Sequence, residues 1–163
     1  MFTDATSAQV TRIADALLAS GRSIAVAESL TCGQLTHALG SGHDTHVWLR
    51  GGATVYQTDV KQDVLGVSPG PVVTAKCAEE LAAGAARVFG ADVAIATTGV
   101  GGPGPEEGEP QGTVFIGWCL DGTTGSERHD FAGSPVEVLD QATDAALAAV
   151  ARLVDRPNRP SGD

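Results

Sequence analysis

Short apolar runs of strand length alternate with capped helical stretches along this chain, and that alternation restricts it to a layered α/β fold. Residues 23–27 (SIAVA), 51–57 (GGATVYQ), 92–98 (DVAIATT) and 113–122 (TVFIGWCLDG) read as strands. A first helix, capped by Ser7, carries its apolar stripe on Val10, Ile13, Ala14, Leu17 and Leu18 and stops at Gly21. ESLTCGQLTHAL, from Glu28, turns directly into a second helix, and DVKQDVLG, from Asp59, forms a short third. Thr74 caps AKCAEELAAGAARVF, which ends at Gly90. Ser134-Pro135-Val136-Glu137 opens the last helix as N-cap, N1 proline and the N3 glutamate of a capping box. Asp121-Gly122 turns the fourth strand into an antiparallel partner near residues 126–131. The expected architecture is one helix–sheet–helix domain over residues 1–154, with a mixed, mostly parallel sheet and an antiparallel edge. The polar, proline-rich stretch 155–163 is expected to be a flexible tail.

A chain of 163 residues buries about 70% of its unfolded surface, enough for a core without covalent staples. Aromatic residues are only 4% of the chain, so Val, Ile, Leu and Ala must build that core, and small side chains suit close helix-on-sheet packing. The 20 acidic against 10 basic residues give a formal charge of -10, and no basic run occurs. Counterion displacement from a duplex needs clustered Lys and Arg, which argues against nucleic-acid or anionic-membrane binding. Cys32, Cys77 and Cys119 are odd in number, far apart and in no CxxC spacing, which points to a reducing, cytoplasmic setting. The N-terminal residues lack a basic region followed by an apolar stretch, and no run reaches the ~18 apolar residues of a membrane span. His37, His43 and His46 cluster near Asp44 without a known ligand spacing, so a polar loop is expected and no metal site.

Three segments can carry chemistry. Ala27-Glu28-Ser29-Leu30-Thr31-Cys32-Gly33 joins a strand's carboxyl end to a helix start, where ligands bind in open α/β sheets. Ser29 there is placed to present its Oγ beside backbone amides; the competing role, for Ser29 or Thr31, is simply to cap the helix. Tyr56-Gln57-Thr58-Asp59-Val60-Lys61 is a second such corner. A lysine in a helix's first turn sits against the dipole, which lowers its pKa and suits it to serve as a base; a solvated surface lysine is the alternative. Thr98-Gly99-Val100-Gly101-Gly102-Pro103-Gly104 spells GxGxxG after a strand, yet Pro105, Gly108 and Pro110 with three glutamates follow. No pyrophosphate-binding helix can open there, so the dinucleotide reading fails and a pocket-walling loop remains.

In order and spacing, these segments resemble the C-terminal domain of the competence/damage-inducible CinA family, the nicotinamide-nucleotide amidases. AESLTCGQL is similar to that family's AESxTGG segment, with Cys32 in place of the first glycine. GGATVYQTDVKQDVLGV resembles its GG-x-x-x-Y-x-x-x-x-K-x-x-x-L-G-V block, and TTGVGGPGPEEGEPQGTVFIGW its (S/T)G-(I/V)-A-G-P…P-x-G-(T/L)-V block. The resemblance implies hydrolysis of nicotinamide mononucleotide to nicotinate mononucleotide and ammonia, without a cofactor. It makes Ser29 the nucleophile, Lys61 its base and Tyr56 a third catalytic residue, near enough to position either group. It places substrate against Glu28, Thr31, Cys32 and Gly33 and against Thr98, Gly99, Gly101 and Gly102, and it implies a homo-oligomer. Where the family commonly carries arginines, this chain has Pro135 and Leu139. A substrate phosphate would then fall to backbone amides, to Arg50 or another arginine, or to a second copy. A non-catalytic or altered-substrate relative that binds a nucleotide-like molecule is the alternative reading.

Overall fold

The structure, a computed structural model, describes residues 2–157. Its strands are β1 (Ile24–Glu28), β2 (Leu49–Thr54), β3 (Val93–Gly99), β4 (Thr113–Leu120) and β5 (Thr123–Asp130). They form one sheet in the order β2-β1-β3-β4-β5. β1 pairs in parallel with β2 and β3, whereas β3–β4 and β4–β5 are antiparallel. The sheet is therefore mixed, with β4 alone running against the other four strands. The helices are α1 (Asp4–Ser20), α2 (Gln34–Gly40), α3 (Thr45–Trp48), α4 (Thr58–Leu65), α5 (Ala75–Phe89) and α6 (Pro135–Val154).

The alternation within IAVA and VAIAT decides what packs on each face, because successive strand residues point to opposite sides. Ile24, Val26, Val93, Ile95, Val114 and Ile116 face the layer that holds α1 and α6. Ala25, Ala27, Ala94 and Ala96 face the layer of α5 and the residues following β2. Each fully buried Ile or Val contributes roughly 1.5–3 kcal/mol. The alanines contribute less but let α5 approach closely. A Cβ at Gly117 would lie 2.1 Å from the Ala78 carbonyl oxygen, and one at Gly84 would lie 2.1 Å from that of Leu65.

Several local expectations shift. Thr3 rather than Ser7 caps α1, accepting the Thr6 amide at 3.1 Å. Residues 43–46, expected as a polar loop, run into the one-turn helix α3 at Thr45, and buried Trp48 of that turn donates its indole N–H to the His43 carbonyl at 2.9 Å. The His43 ring reaches Asp15 and Asp44, whose carboxylates raise its pKa, while His37 packs on Phe2. Among the described residues no three His, Cys, Asp or Glu side chains are grouped to hold a metal. His129 on β5 meets Glu127 at 3.0 Å and stacks on Phe131. Asp155, placed in the tail by composition, pairs with Arg12; residues 158–163 of that tail lie outside the described residues. Among the described residues no helix is long and apolar enough to cross a membrane.

Candidate active site

Because β2, β1 and β3 are parallel, their carboxyl ends share one rim of the sheet, where three segments meet. Glu28 ends β1 and is fully buried, 0% exposed. Its Oε1 accepts the Leu35 amide at 2.8 Å and the Thr31 hydroxyl at 2.7 Å. Its Oε2 accepts the Thr36 amide at 3.0 Å and the Thr36 hydroxyl at 2.6 Å. The Glu28 carboxylate is thus the cap of α2, a favourable place for an anion. Neither Ser29 nor Thr31 performs the capping role open to them in the sequence: Gly33 sits at the N-cap position, and the Thr31 hydroxyl is shared between Glu28 and Thr97.

Ser29 is consequently held by its backbone and free at its hydroxyl. Its amide donates to the Thr97 carbonyl and its carbonyl accepts the Cys32 amide, both at 3.1 Å. Its hydroxyl makes no hydrogen bond among the described residues. The amides of Leu30, Thr31 and Gly33 likewise have no acceptor there and remain open to donate to a bound group. Cys32 is exposed and has φ 49°, a left-handed conformation that favours glycine.

At the β2 corner, Lys61 points inward from the first turns of α4 and is 1% exposed. Its Nζ donates to the Tyr56 carbonyl at 2.5 Å. Burial depresses its pKa below the ordinary 10.5, opposed by Cys77, Glu106 and Glu107. Burial also pushes the neighbouring Cys77 thiol up to about 11. The Tyr56 side chain is 64% exposed, so its carbonyl, not its phenol, meets Lys61.

The glycine-rich loop completes the enclosure. Glu106 and Glu109 pair through their backbones at 3.0 and 2.9 Å, closing a hairpin where a dinucleotide site would have opened a helix. The Glu107 carboxylate accepts the amides of Val72 and Val73 at 3.0 and 2.8 Å, fastening the loop to the segment before α5. Thr98 donates to the Val72 carbonyl at 2.8 Å. Gly99 is required by close approach, since a Cβ there would lie 2.4 Å from the Thr113 carbonyl oxygen.

These segments surround a cavity of about 330 Å³. Of the residues singled out by sequence, Ser29, Tyr56, Lys61, Thr98, Gly99, Gly101 and Gly102 line it. Glu28, Thr31, Cys32 and Gly33 do not; they shape the turn behind Ser29. Leu30, Gln57, Thr58, Val72, Val73 and Glu106 also line the cavity and were not picked out. Leu30, Gln57 and Thr58 are chain neighbours of chosen residues, whereas Val72 and Val73 are brought in by the long-range bonds to Glu107 and Thr98, which no local pattern announces. A second cavity, about 370 Å³, lies by α1, α2 and α6 and holds none of the residues singled out for chemistry.

A model of the CinA C-terminal domain matches residues 6–154. The chain belongs to the CinA C-terminal domain family. It is 35% identical to Protein YdeJ of Escherichia coli K12 over 158 residues, covering 93% of this chain and 92% of that protein. It is 37% identical to a CinA-like protein of Mycolicibacterium gilvum over 146 residues, 85% of this chain but only 35% of that protein. The chain therefore spans about a third of the longer curated relatives, 36% for one from Bacillus velezensis. The crystal structure of a CinA superfamily protein from Klebsiella pneumoniae superposes with TM-score 0.87 at 35% identity, covering 91% of this chain and 97% of that one. Arg50, offered by the sequence as a phosphate ligand, lies near the amino end of β2 and donates to the Phe89 carbonyl at 2.9 Å, away from the cavity at the strand's other end. Pro135 opens α6, and Leu139 is half-buried, its Cδ1 3.1 Å from where a Gly101 Cβ would stand.

Proposed function

We propose that this CinA-family chain is a Ser–Lys amidohydrolase that deamidates nicotinamide mononucleotide or a related carboxamide, releasing ammonia. The observation that carries this reading is the buried Lys61, its pKa depressed, lining the same cavity as a serine hydroxyl that has no hydrogen-bond partner among the described residues. Neutral Lys61 accepts the Ser29 proton as Oγ attacks the carboxamide carbon. The tetrahedral oxyanion is met by the amides that follow Ser29. Collapse breaks the C–N bond, the Lys61 proton passes to the departing nitrogen, and ammonia leaves an ester on Ser29. Water, deprotonated by Lys61, hydrolyses that ester and restores the serine. A cytoplasmic homo-oligomer belongs to the same reading, and light scattering of the purified chain checks the assembly.

Ammonia release from the mononucleotide and from related carboxamides, with Ser29→Ala alongside, tests the assignment. Release by the wild type and loss in the variant is the expected result; no release from any by a folded wild type overturns it. One observation favours a second reading, a ligand-binding relative without turnover: Lys61 Nζ donates to the Tyr56 carbonyl and makes no hydrogen bond to Ser29. Tight binding without ammonia release would decide for that reading.

A further inference from the structure

Four anion-binding positions around this rim are filled by the chain's own carboxylates, and the amides left open there, after Ser29, are the ones that the proposed reaction uses for its oxyanion. Glu28 caps α2. Asp59 stands in the first turn of α4 and accepts the Val60 amide at 2.9 Å. Glu107 takes the two amides ahead of α5. Glu137 accepts the Ser134 amide at 2.7 Å and the Ser134 hydroxyl at 2.8 Å at the start of α6. Helix starts and paired amides are where a phosphate would otherwise bind.

Nor do cations compensate. Among the described residues Lys61 is the only Lys or Arg in the cavity lining, and Glu106 shares that lining with it. Arg128, at the carboxyl end of β5, is held between Glu109 at 3.0 Å and Asp130 at 3.1 Å. Arg12, Arg22, Arg50, Arg87 and Arg152 each have partners elsewhere. A phosphate dianion in this cavity would face Glu106 and draw on the ammonium of Lys61, the group whose neutral form the reaction needs. The volume, about 330 Å³, is near the ~300 Å³ lower end for small-molecule sites and suits a ligand of nucleoside size.

We propose that the cavity selects a neutral or cationic carboxamide without a phosphate, of nucleoside size, over the corresponding phosphomonoester. The proposal rests on the amidase reading and narrows its substrate. A pyridinium carboxamide on an unphosphorylated sugar fits, because its positive ring is complementary to Glu106.

The test compares kcat/KM for ammonia release from nicotinamide riboside and nicotinamide mononucleotide, with the full chain at fixed ionic strength. The riboside is expected to be favoured at least tenfold, and the ratio to shrink as salt is added, because the discrimination is electrostatic. Glu106→Gln is expected to lower the ratio several-fold. Leu139→Arg is expected to lower it further by adding a cation beside Gly101. A mononucleotide used as well as the riboside, or better, overturns the selectivity and leaves the amidase intact. If neither is hydrolysed by folded protein, the amidase reading fails, and calorimetry decides the selectivity alone. Tighter riboside binding then upholds it; equal binding, tighter mononucleotide binding, or binding of neither overturns it.

Discussion

The two corners that face each other across the cavity are built in opposite ways. After β1, a fully buried carboxylate gathers two amides and two hydroxyls, so the Ser29 turn is over-determined by bonds between the end of β1 and the start of α2. After β2, an edge strand, Gln57 stands at the N-cap position of α4 without a side-chain bond, and Tyr56 is exposed. There the buried Lys61, bonded to one carbonyl, ties the helix to the strand's end. On the proposed amidase reading the difference suits the two roles: a nucleophile gains from rigid placement, while a base that must shuttle a proton needs an environment that lowers its pKa more than it needs a fixed bond.

Substitutions at the two corners should separate these roles. Ser29→Ala is expected to reduce ammonia release by at least ~10³-fold while leaving the melting temperature within about 2 °C, because the turn is held by Glu28 and the backbone. Lys61→Met should lose comparable activity, yet stability should be unchanged or rise by about 1–2 kcal/mol as a desolvated amine gives way to an apolar side chain of similar length; denaturant unfolding checks it. A large destabilisation would mean that Lys61 is structural first.

Glu28→Gln should show the reverse pattern. The amide group sets a donor against donors at Leu35 or Thr36, costing about 2–4 kcal/mol and roughly 5–10 °C in Tm, with activity falling through misplacement of Ser29. The pH response sharpens the contrast. Lys61 titrates below its ordinary 10.5 in the folded chain, so between the folded and unfolded pKa values the unfolded state binds the extra proton. Activity should rise with pH through the folded pKa, and the Lys61 contribution to stability should also rise with pH up to about 10.5; both slopes should vanish in Lys61→Met. The smallest effect is expected from Tyr56→Phe, under about threefold in kcat/KM, because the backbone carbonyl serves Lys61. A larger loss would give the phenol the catalytic part that the sequence suggested.

Much of this architecture was legible locally. The capping box at Ser134–Glu137, the Thr74 cap, the Asp121-Gly122 turn and the stops at Gly21 and Gly90 all stand where residue chemistry puts them, with Asp121 and Gly122 both at positive φ. The corners were legible too, because each is an apolar run that ends in polar residues before a helix. The Thr3 cap was hidden because Ser7 is by type the better N-cap, while in the fold Thr6, whose amide Thr3 accepts, also reaches Asp144 on α6. Glu28 was placed among the substrate contacts because nothing local says which donors a carboxylate will take.

What the sequence by itself determined is the strands and the longer helices, their order, and the placement of Ser29, Lys61 and the glycine loop at strand ends, since caps, turns and two-residue periodicity act over a few residues. Tertiary structure alone decided which of those groups became buried and what each was bonded to. Glu28 turned onto α2, Glu107 reached back 35 positions to Val72, and Lys61 was shut away from water. Those outcomes depend on long-range packing, in which a carboxylate or an amine settles with whatever donors, acceptors and dielectric the assembled layers bring to it.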